Sequence, residues 1–361
     1  VQYTCDGTAP PAAQSISDLP DLAVGPQSSV SLAYGSASFS GAGDYILYMF
    51  LGDGSYSSVP TYTLGTTAEL TEDLGDVVLE DNEALRSQIS GLDMGEKRFL
   101  QIPNRDGELL NAYVITPPSY KQAKEYDMII KVYGGPGSQT VTRAYELGYN
   151  AYVASSEQYL MVSVDVRGTG ARGANFTQQT YEQLGELEAR DVIDTAKYFK
   201  ASSTYRTRSV CVWGWSYGGF LSAKTLQRDD ARVLDCVLSV APVTDWRLYD
   251  TAYTERYMQL PTAESNLAGY NETSVYLNVS AWEGMHDMYM VIHGTFDDNV
   301  HYQHSALLTR ALVTEGVMYE MCAYTNDDHS ISLPGSSRNL YDRITAFFLA
   351  RSEVHQLAAA E

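Results

Sequence analysis

The chain is poor in cysteine, in positive charge and in long apolar runs. Four cysteines, Cys5, Cys211, Cys236 and Cys322, are spread over 361 residues. They are too few for a disulfide framework and lack the spacing of a metal site, so no metal or other cofactor is expected. Cys211 and Cys322 lie in apolar runs and read as small buried hydrophobes. Lysine and arginine number 24 against 45 acidic residues, a formal charge of −21. A surface that neutralises phosphates needs clustered cations, so nucleic acid is not expected as a partner. No apolar stretch approaches the roughly 20 residues that a membrane helix needs. The chain starts at Val1 with no leader-like segment, which reads as a processed or partial product whose anchor, if any, lies upstream. Three acceptor sequons begin at Asn175, Asn271 and Asn278 and fit glycosylation in an extracellular, cell-surface or lumenal setting.

What is present divides into two styles. From Val1 to about Glu80, short β-type runs (Ser29 to Tyr34, Tyr45 to Leu51, Thr61 to Leu64) alternate with Gly, Ser, Asp and Pro. This is the grammar of an antiparallel meander. It fits either the tail end of a repeating β architecture or a free-standing β cap. A charged, helix-tolerant linker covers Asp81 to Gly95. Beyond it, Arg98 to Ile102 and Leu110 to Ile115 form a predicted hairpin around Asp106-Gly107, and strands then alternate with helices. Expected strands are Met128 to Tyr133, Tyr159 to Val166, the run before Trp215, Val233 to Val240, Met288 to Ile292 and Val317 to Tyr324. A long amphipathic helix is expected over Thr180 to Ser202, and a last helix over Ser336 to Arg351. The alternation predicts an α/β fold with a doubly wound, mostly parallel sheet, whose functional groups gather at the carboxyl ends of its strands.

The centre of this pattern is Gly214-Trp-Ser-Tyr-Gly218, which follows a β-branched run and opens a helix. A serine at such a turn is held out at the apex, and the flanking glycines relieve the crowding. Past the later strands come a carboxylate, Asp297 with Asp298 beside it, and an imidazole, His329. Ser, then Asp, then His is the chain order of α/β-hydrolases. In this reading Ser216 is the nucleophile, His329 the base, and Asp297 or Asp298 the group that holds the imidazole. The Tyr217 amide is one oxyanion donor. Tyr133, which opens the loop Tyr133-Gly-Gly-Pro-Gly137, is either a second donor or a core tyrosine. Asp327 and Asp328 are expected in a solvated turn, His293 as a packed strand-end residue, His301 and His304 on one helix face, and His286 and His355 on the surface.

Gly214-Trp-Ser-Tyr-Gly-Gly219, Val240-Ala-Pro-Val-Thr-Asp-Trp246, Tyr249-Asp-Thr-Ala-Tyr-Thr-Glu-Arg-Tyr-Met258, His293-Gly-Thr-Phe-Asp-Asp-Asn-Val300 and Asp327-Asp-His329 together resemble the dipeptidyl peptidase IV family of the prolyl oligopeptidase clan. The resemblance runs from about Leu64 to Phe348. It implies residues 88–361 as an α/β-hydrolase catalytic domain and residues 1–87 as the last part of a β-propeller. It also implies a serine exopeptidase that releases X-Pro or X-Ala dipeptides from free N-termini. It selects Asp297 over Asp298 and assigns Tyr133 and Tyr217 to the oxyanion hole. Tyr217, Val243, Trp246, Tyr249, Tyr253 and Val300 would line the proline pocket, with Asn299 on the carbonyl of the penultimate residue. A homodimer through the last helix is implied as well.

Two features depart from the family. The amine-gripping glutamates and arginine lie in a propeller region outside this chain. Cys236 matches a family cysteine that pairs with one near the C-terminus, but the tail of this chain offers no such partner. The competing expectations are a broader acyl-peptide hydrolase or esterase on the same scaffold, or a non-catalytic structural or adhesion subunit.

Overall fold

The computed structural model describes residues 35–39, 45–50, 55–56, 61–66, 77–283, 285 and 288–358. The expected strand from Ser29 to Tyr34 and the side chains of His286 and His355 lie outside the described residues. The chain divides into two compact units, Val1–Leu92 with Arg143–Tyr145, and Asp93–Thr142 with Glu146–Glu361.

The first unit holds an antiparallel sheet of β1 (Gly35–Phe39), β2 (Tyr45–Phe50), β3 (Thr61–Thr66) and β4 (Val77–Glu80) in the order 1-2-3-4. Each strand pairs with the next, with Gly35 opposite Phe50 and Tyr45 opposite Thr66. The helix α1 (Glu83–Ser90) follows.

The second unit is built on one eight-stranded sheet. It opens with the hairpin of β5 (Glu96–Pro103) and β6 (Leu109–Thr116). Then come β7 (Tyr126–Val132), β8 (Leu160–Asp165), β9 (Thr207–Trp215), β10 (Cys236–Val240), β11 (Tyr289–Gly294) and β12 (Glu320–Tyr324). Their spatial order is 12-11-10-9-7-8-6-5. The ladders β8–β7–β9–β10–β11–β12 are parallel, while β6 runs antiparallel to both β5 and β8. This is the mostly parallel α/β-hydrolase sheet that the sequence predicts. β7, β8, β10 and β11 are nearly wholly buried, as apolar strands covered on both faces must be.

The helices are α2 (Tyr149–Ser155), α3 (Ala174–Thr177), α4 (Glu186–Lys200), α5 (Tyr217–Gln227), α6 (Thr251–Met258), α7 (Leu267–Thr273), α8 (Gln303–Thr314) and α9 (Ser336–Ala358). α4 starts six residues later than the expected Thr180. Glu182 and Gly185 have φ of 65° and 89°, which interrupt the helical path, and Gln178–Thr180 form a 3-10 turn instead. β10 likewise starts at Cys236 and not Val233, because the amides of Val233 and Leu234 donate to the Asp229 carboxylate, which forms a turn in place of a ladder.

The cysteines also depart from expectation. The parallel register sets Cys211 on β9 directly opposite Cys236 on β10, with Cα atoms 4.6 Å apart, and the two form a disulfide. Cys211 is therefore not a lone buried hydrophobe, and Cys236 has a partner in the next strand. Cys322 is a free, partly exposed thiol.

The turn from β9 into α5 places Ser216. Its backbone sits at φ 61° and ψ −118°, a conformation rarely held by a residue with a side chain. The Ser216 amide donates to the Val240 carbonyl at 2.9 Å, which ties the turn to β10. A Cβ on Gly214 would lie 2.4 Å from the Gly218 backbone, and one on Gly218 would lie 2.3 Å from the Val132 carbonyl oxygen. Gly218→Ala therefore forces backbone apart and is expected to cost roughly 1–3 kcal/mol. A lowered thermal midpoint in circular dichroism checks this, and an unchanged midpoint contradicts the packing described.

Candidate active site

Four strands deliver the candidate residues from their carboxyl ends. β7 ends at Val132 and hands on to Tyr133, while β9 ends at Trp215 and hands on to Ser216. β11 ends at Gly294, three residues before Asp297, and β12 ends at Tyr324, five before His329. In an open parallel sheet this is the rim where ligands bind.

Asp297 is the electrostatic centre. It is buried, and its Oδ1 accepts the amides of Asn299 at 3.0 Å and Val300 at 2.8 Å. Oδ2 meets His329 Nδ1 at 2.7 Å and His293 Nε2 at 3.1 Å. Burial pushes its carboxyl upward, but the hydrogen bonds from His293 and His329 outweigh that and hold it well below the usual carboxylate range. Asp298 is exposed, and of the two carboxylates it is Asp297 that meets His329.

The Asp297 contact occupies Nδ1 of His329 and leaves Nε2 as the atom free to exchange a proton with a hydroxyl. A second contact anchors the histidine loop beside the nucleophile's strand: Trp215 Nε1 donates to the His329 carbonyl at 3.0 Å. Asp327 departs from the expected solvated turn. It is buried and accepts the Leu333 amide at 2.9 Å and the Ser336 hydroxyl at 2.6 Å, which fixes the chain between His329 and α9. Asp328 is exposed and caps the turn through the Ser330 amide.

His293 is buried as expected, yet it also belongs to the site. Its Nε2 faces both Asp297 Oδ2 and the Val300 carbonyl at 2.8 Å, and its Nδ1 faces the Ser305 hydroxyl at 2.7 Å. Two acceptors on Nε2 require the proton there, so His293 donates to Asp297. The expected shared helix face of His301 and His304 is absent. α8 begins only at Gln303, and His304 is buried with Nδ1 accepting the Thr244 amide at 2.9 Å. Among the described residues no cluster of His, Cys, Asp or Glu could hold a metal.

Tyr217 opens α5, and its amide is one of the first-turn N–H groups that a helix leaves without an internal acceptor. Tyr133 is 39% exposed, with its ring 6.1 Å from that of Tyr217. The loop behind Tyr133 is held by Asp165, which accepts the amides of Thr140 at 2.8 Å and Val141 at 3.0 Å.

Beside the elbow lies an aromatic cluster. Trp246 stacks on Tyr253 at 5.9 Å and meets Tyr217 at 5.5 Å and Tyr249 edge-on at 6.0 Å. Phe220, which the sequence reading omitted, meets Trp246 edge-on at 5.0 Å. Val243 and Val300 are buried. The Tyr249 hydroxyl donates to Asn299 Oδ1 at 3.1 Å, so Asn299 is tied to the aromatic wall. Of the sequon residues, Asn175 and Asn271 are exposed. Asn271 accepts from Arg247, and the Asn278 amide group donates to the carbonyls of Asn271 and Ser274.

Fold and site together define an α/β-hydrolase with a serine elbow, a partly exposed histidine held by a buried aspartate, and an aromatic cluster beside them. The chain belongs to the prolyl oligopeptidase family, whose model matches residues 145–354. Dipeptidyl peptidase 4 of Sus scrofa is 36% identical over 314 residues, which make up 87% of this chain and 40% of that protein. Dipeptidyl peptidase 4 of Trichophyton equinum is 36% identical over 318 residues, again 40% of its length. The crystal structure of Porphyromonas gingivalis dipeptidyl peptidase 4 superposes with a TM-score of 0.80 at 31% identity, covering 88% of this chain and 43% of that one. The chain thus spans about two fifths of the length of these relatives.

The depressed Asp297 carboxyl has a consequence for stability. A carboxylate whose folded-state value lies below its ordinary 3.8 stabilises the fold fully above that pH, and the contribution is lost as pH falls through the depressed value. Asp297→Asn removes the group, so the loss of unfolding free energy on acidifying below 3.8 is expected to be shallower than in the wild type. Denaturant titrations at a series of acid pH values measure this, and parallel curves would contradict the assignment.

Proposed function

We propose that this chain is the catalytic part of a serine dipeptidyl peptidase that releases X-Pro or X-Ala dipeptides from free peptide N-termini. The observation that supports the reading is the contact of His329 with the buried Asp297 at the sheet rim that also carries Ser216 and the aromatic cluster.

In this mechanism Ser216 Oγ attacks the carbonyl carbon of the second residue, and its proton passes to His329 Nε2. Asp297 fixes the imidazole tautomer through Nδ1 and stabilises the imidazolium. The carbonyl oxygen, now an anion, is met by the Tyr217 amide and the Tyr133 hydroxyl. His329 returns the proton to the leaving amine, which departs and leaves the dipeptidyl ester on Ser216. Water then attacks the ester with His329 as base, releasing the dipeptide and the free serine. The compact aromatic pocket accepts a flat pyrrolidine ring and leaves little room for larger side chains.

The wider assembly follows from the resemblance. We assign the four-stranded meander to the end of a β-propeller, as such blades are four-stranded sheets, and the amine-binding residues to propeller regions outside this chain. A homodimer through the last helix, glycosylation led by the exposed Asn175, and an extracellular or lumenal location belong to the same proposal. The Cys211–Cys236 disulfide supports the last, since such bonds persist in oxidising compartments.

A fluorophosphonate probe on the full-length protein is expected to label Ser216, and Ser216→Ala to abolish labelling. Chromogenic Gly-Pro substrates are expected to turn over while N-blocked peptides and short esters do not. Preferential turnover of blocked peptides or esters would replace this reading with a broader hydrolase, and absence of labelling would remove the enzyme altogether. Asp297→Asn is expected to lower kcat by roughly 10³–10⁴ with the protein still folded.

A further inference from the structure

Tyr217 carries two duties in the proposed site, as its amide faces the oxyanion and its ring forms part of the pocket floor. The ring is held from beneath by a carboxyl group that sequence reading gave no role. Glu188 lies in the first turn of α4 and is fully buried. The Tyr217 hydroxyl donates to its Oε1 at 2.8 Å, and its Oε2 has no hydrogen-bond partner.

Among the described residues no cation pairs with Glu188. The neighbouring cations are committed elsewhere: Lys224 and Arg228 to Glu186, and Arg167 to Asp191. The charged and titratable groups that bear on Glu188 are Asp191 on its own helix, Tyr217 on α5 and Tyr253 on α6. None of these is a cation, so nothing offsets a negative charge there. Burial pushes the carboxyl up to about 8 against the backbone amides that oppose it, so the group is neutral at neutral pH. A neutral acid still accepts from the phenol, and it places no anion beneath the ring. The contact continues upward, since Tyr217 packs on Phe220 at 5.5 Å and on Trp246 at 5.5 Å.

We propose that Glu188 is a positioning residue for specificity: its hydrogen bond fixes the Tyr217 ring at the height that fits proline and excludes looser occupants. The inference rests on the dipeptidyl peptidase reading. Replacing Glu188 by leucine frees the phenol and lets the pocket floor relax. The site then loses part of its preference for the rigid pyrrolidine over the small alanine methyl, while chemistry at Ser216 continues.

The test compares kcat/KM for Gly-Pro and Gly-Ala chromogenic substrates in the full-length protein. In Glu188→Leu the Pro-to-Ala ratio is expected to fall roughly tenfold, chiefly through KM for the proline substrate. Glu188→Gln keeps an acceptor and is expected to restore the ratio; it cannot ionise, so it is also expected to remove the fall in proline turnover that ionisation of Glu188 above about pH 8 would cause in the wild type. Should the leucine variant fail to fold, Tyr217→Phe cuts the same bond from the other side and is expected to lower the ratio alike. An unchanged ratio in the folded variants, beside an active wild type, overturns this inference alone. A wild type that turns over neither substrate and takes up no fluorophosphonate overturns the underlying function and this inference with it.

Discussion

One buried carboxylate holds the site together. Asp297 accepts two backbone amides and two imidazoles, so its charge is matched on both oxygens and its orientation is fixed. An anion left unpaired at that depth would cost several kcal/mol or take up a proton, and either outcome would leave His329 without a partner. The loop Thr295–Val300 therefore works as a socket. Its own amides turn back on the carboxylate, while His293 supports it from the preceding strand. Orientation of the His329 imidazole, and with it any base chemistry at Ser216, depends on this socket.

The elbow supplies the opposite kind of constraint. Ser216 holds an unfavourable backbone conformation, and it persists because β7, β10 and the start of α5 leave no alternative path: Gly214, Gly218 and Gly219 sit against carbonyls of Val132 and Val240. Strain at the nucleophile is offset by burial and pairing elsewhere in the sheet. The aromatic cluster follows from the same placement, since Tyr217 and Phe220 lie one turn apart on α5 and meet Trp246 from the loop after β10.

Much of this was legible in the sequence because it is written locally. The glycines around Ser216, the β-branched run before it and the apolar strands before Asp297 and His329 each carry their own signal, and the parallel-sheet rule brings their ends together. What was missed depends on tertiary approach. The pairing of Cys211 with Cys236 turned on the register of two parallel strands. His293 looked like packing because nothing in its neighbourhood reveals that its ring reaches the Asp297 carboxylate. Glu188 looked like one more acidic residue in a helix start that suits the dipole. The start of α4 was misplaced because a positive φ at Glu182 leaves no mark in a residue with good helix propensity.

The proposed reaction requires Ser216, His329, Asp297, Tyr217 and Tyr133 to converge on one carbonyl. A crystal structure of the full-length protein with a proline boronate measures it most directly. Expected are boron bonded to Ser216 Oγ, one boronate oxygen against the Tyr217 amide and the Tyr133 hydroxyl, and His329 Nε2 within hydrogen-bond distance of the adduct. A proline ring lying outside the Tyr217–Trp246–Tyr253 cluster, or an imidazole turned away from the adduct, would contradict it.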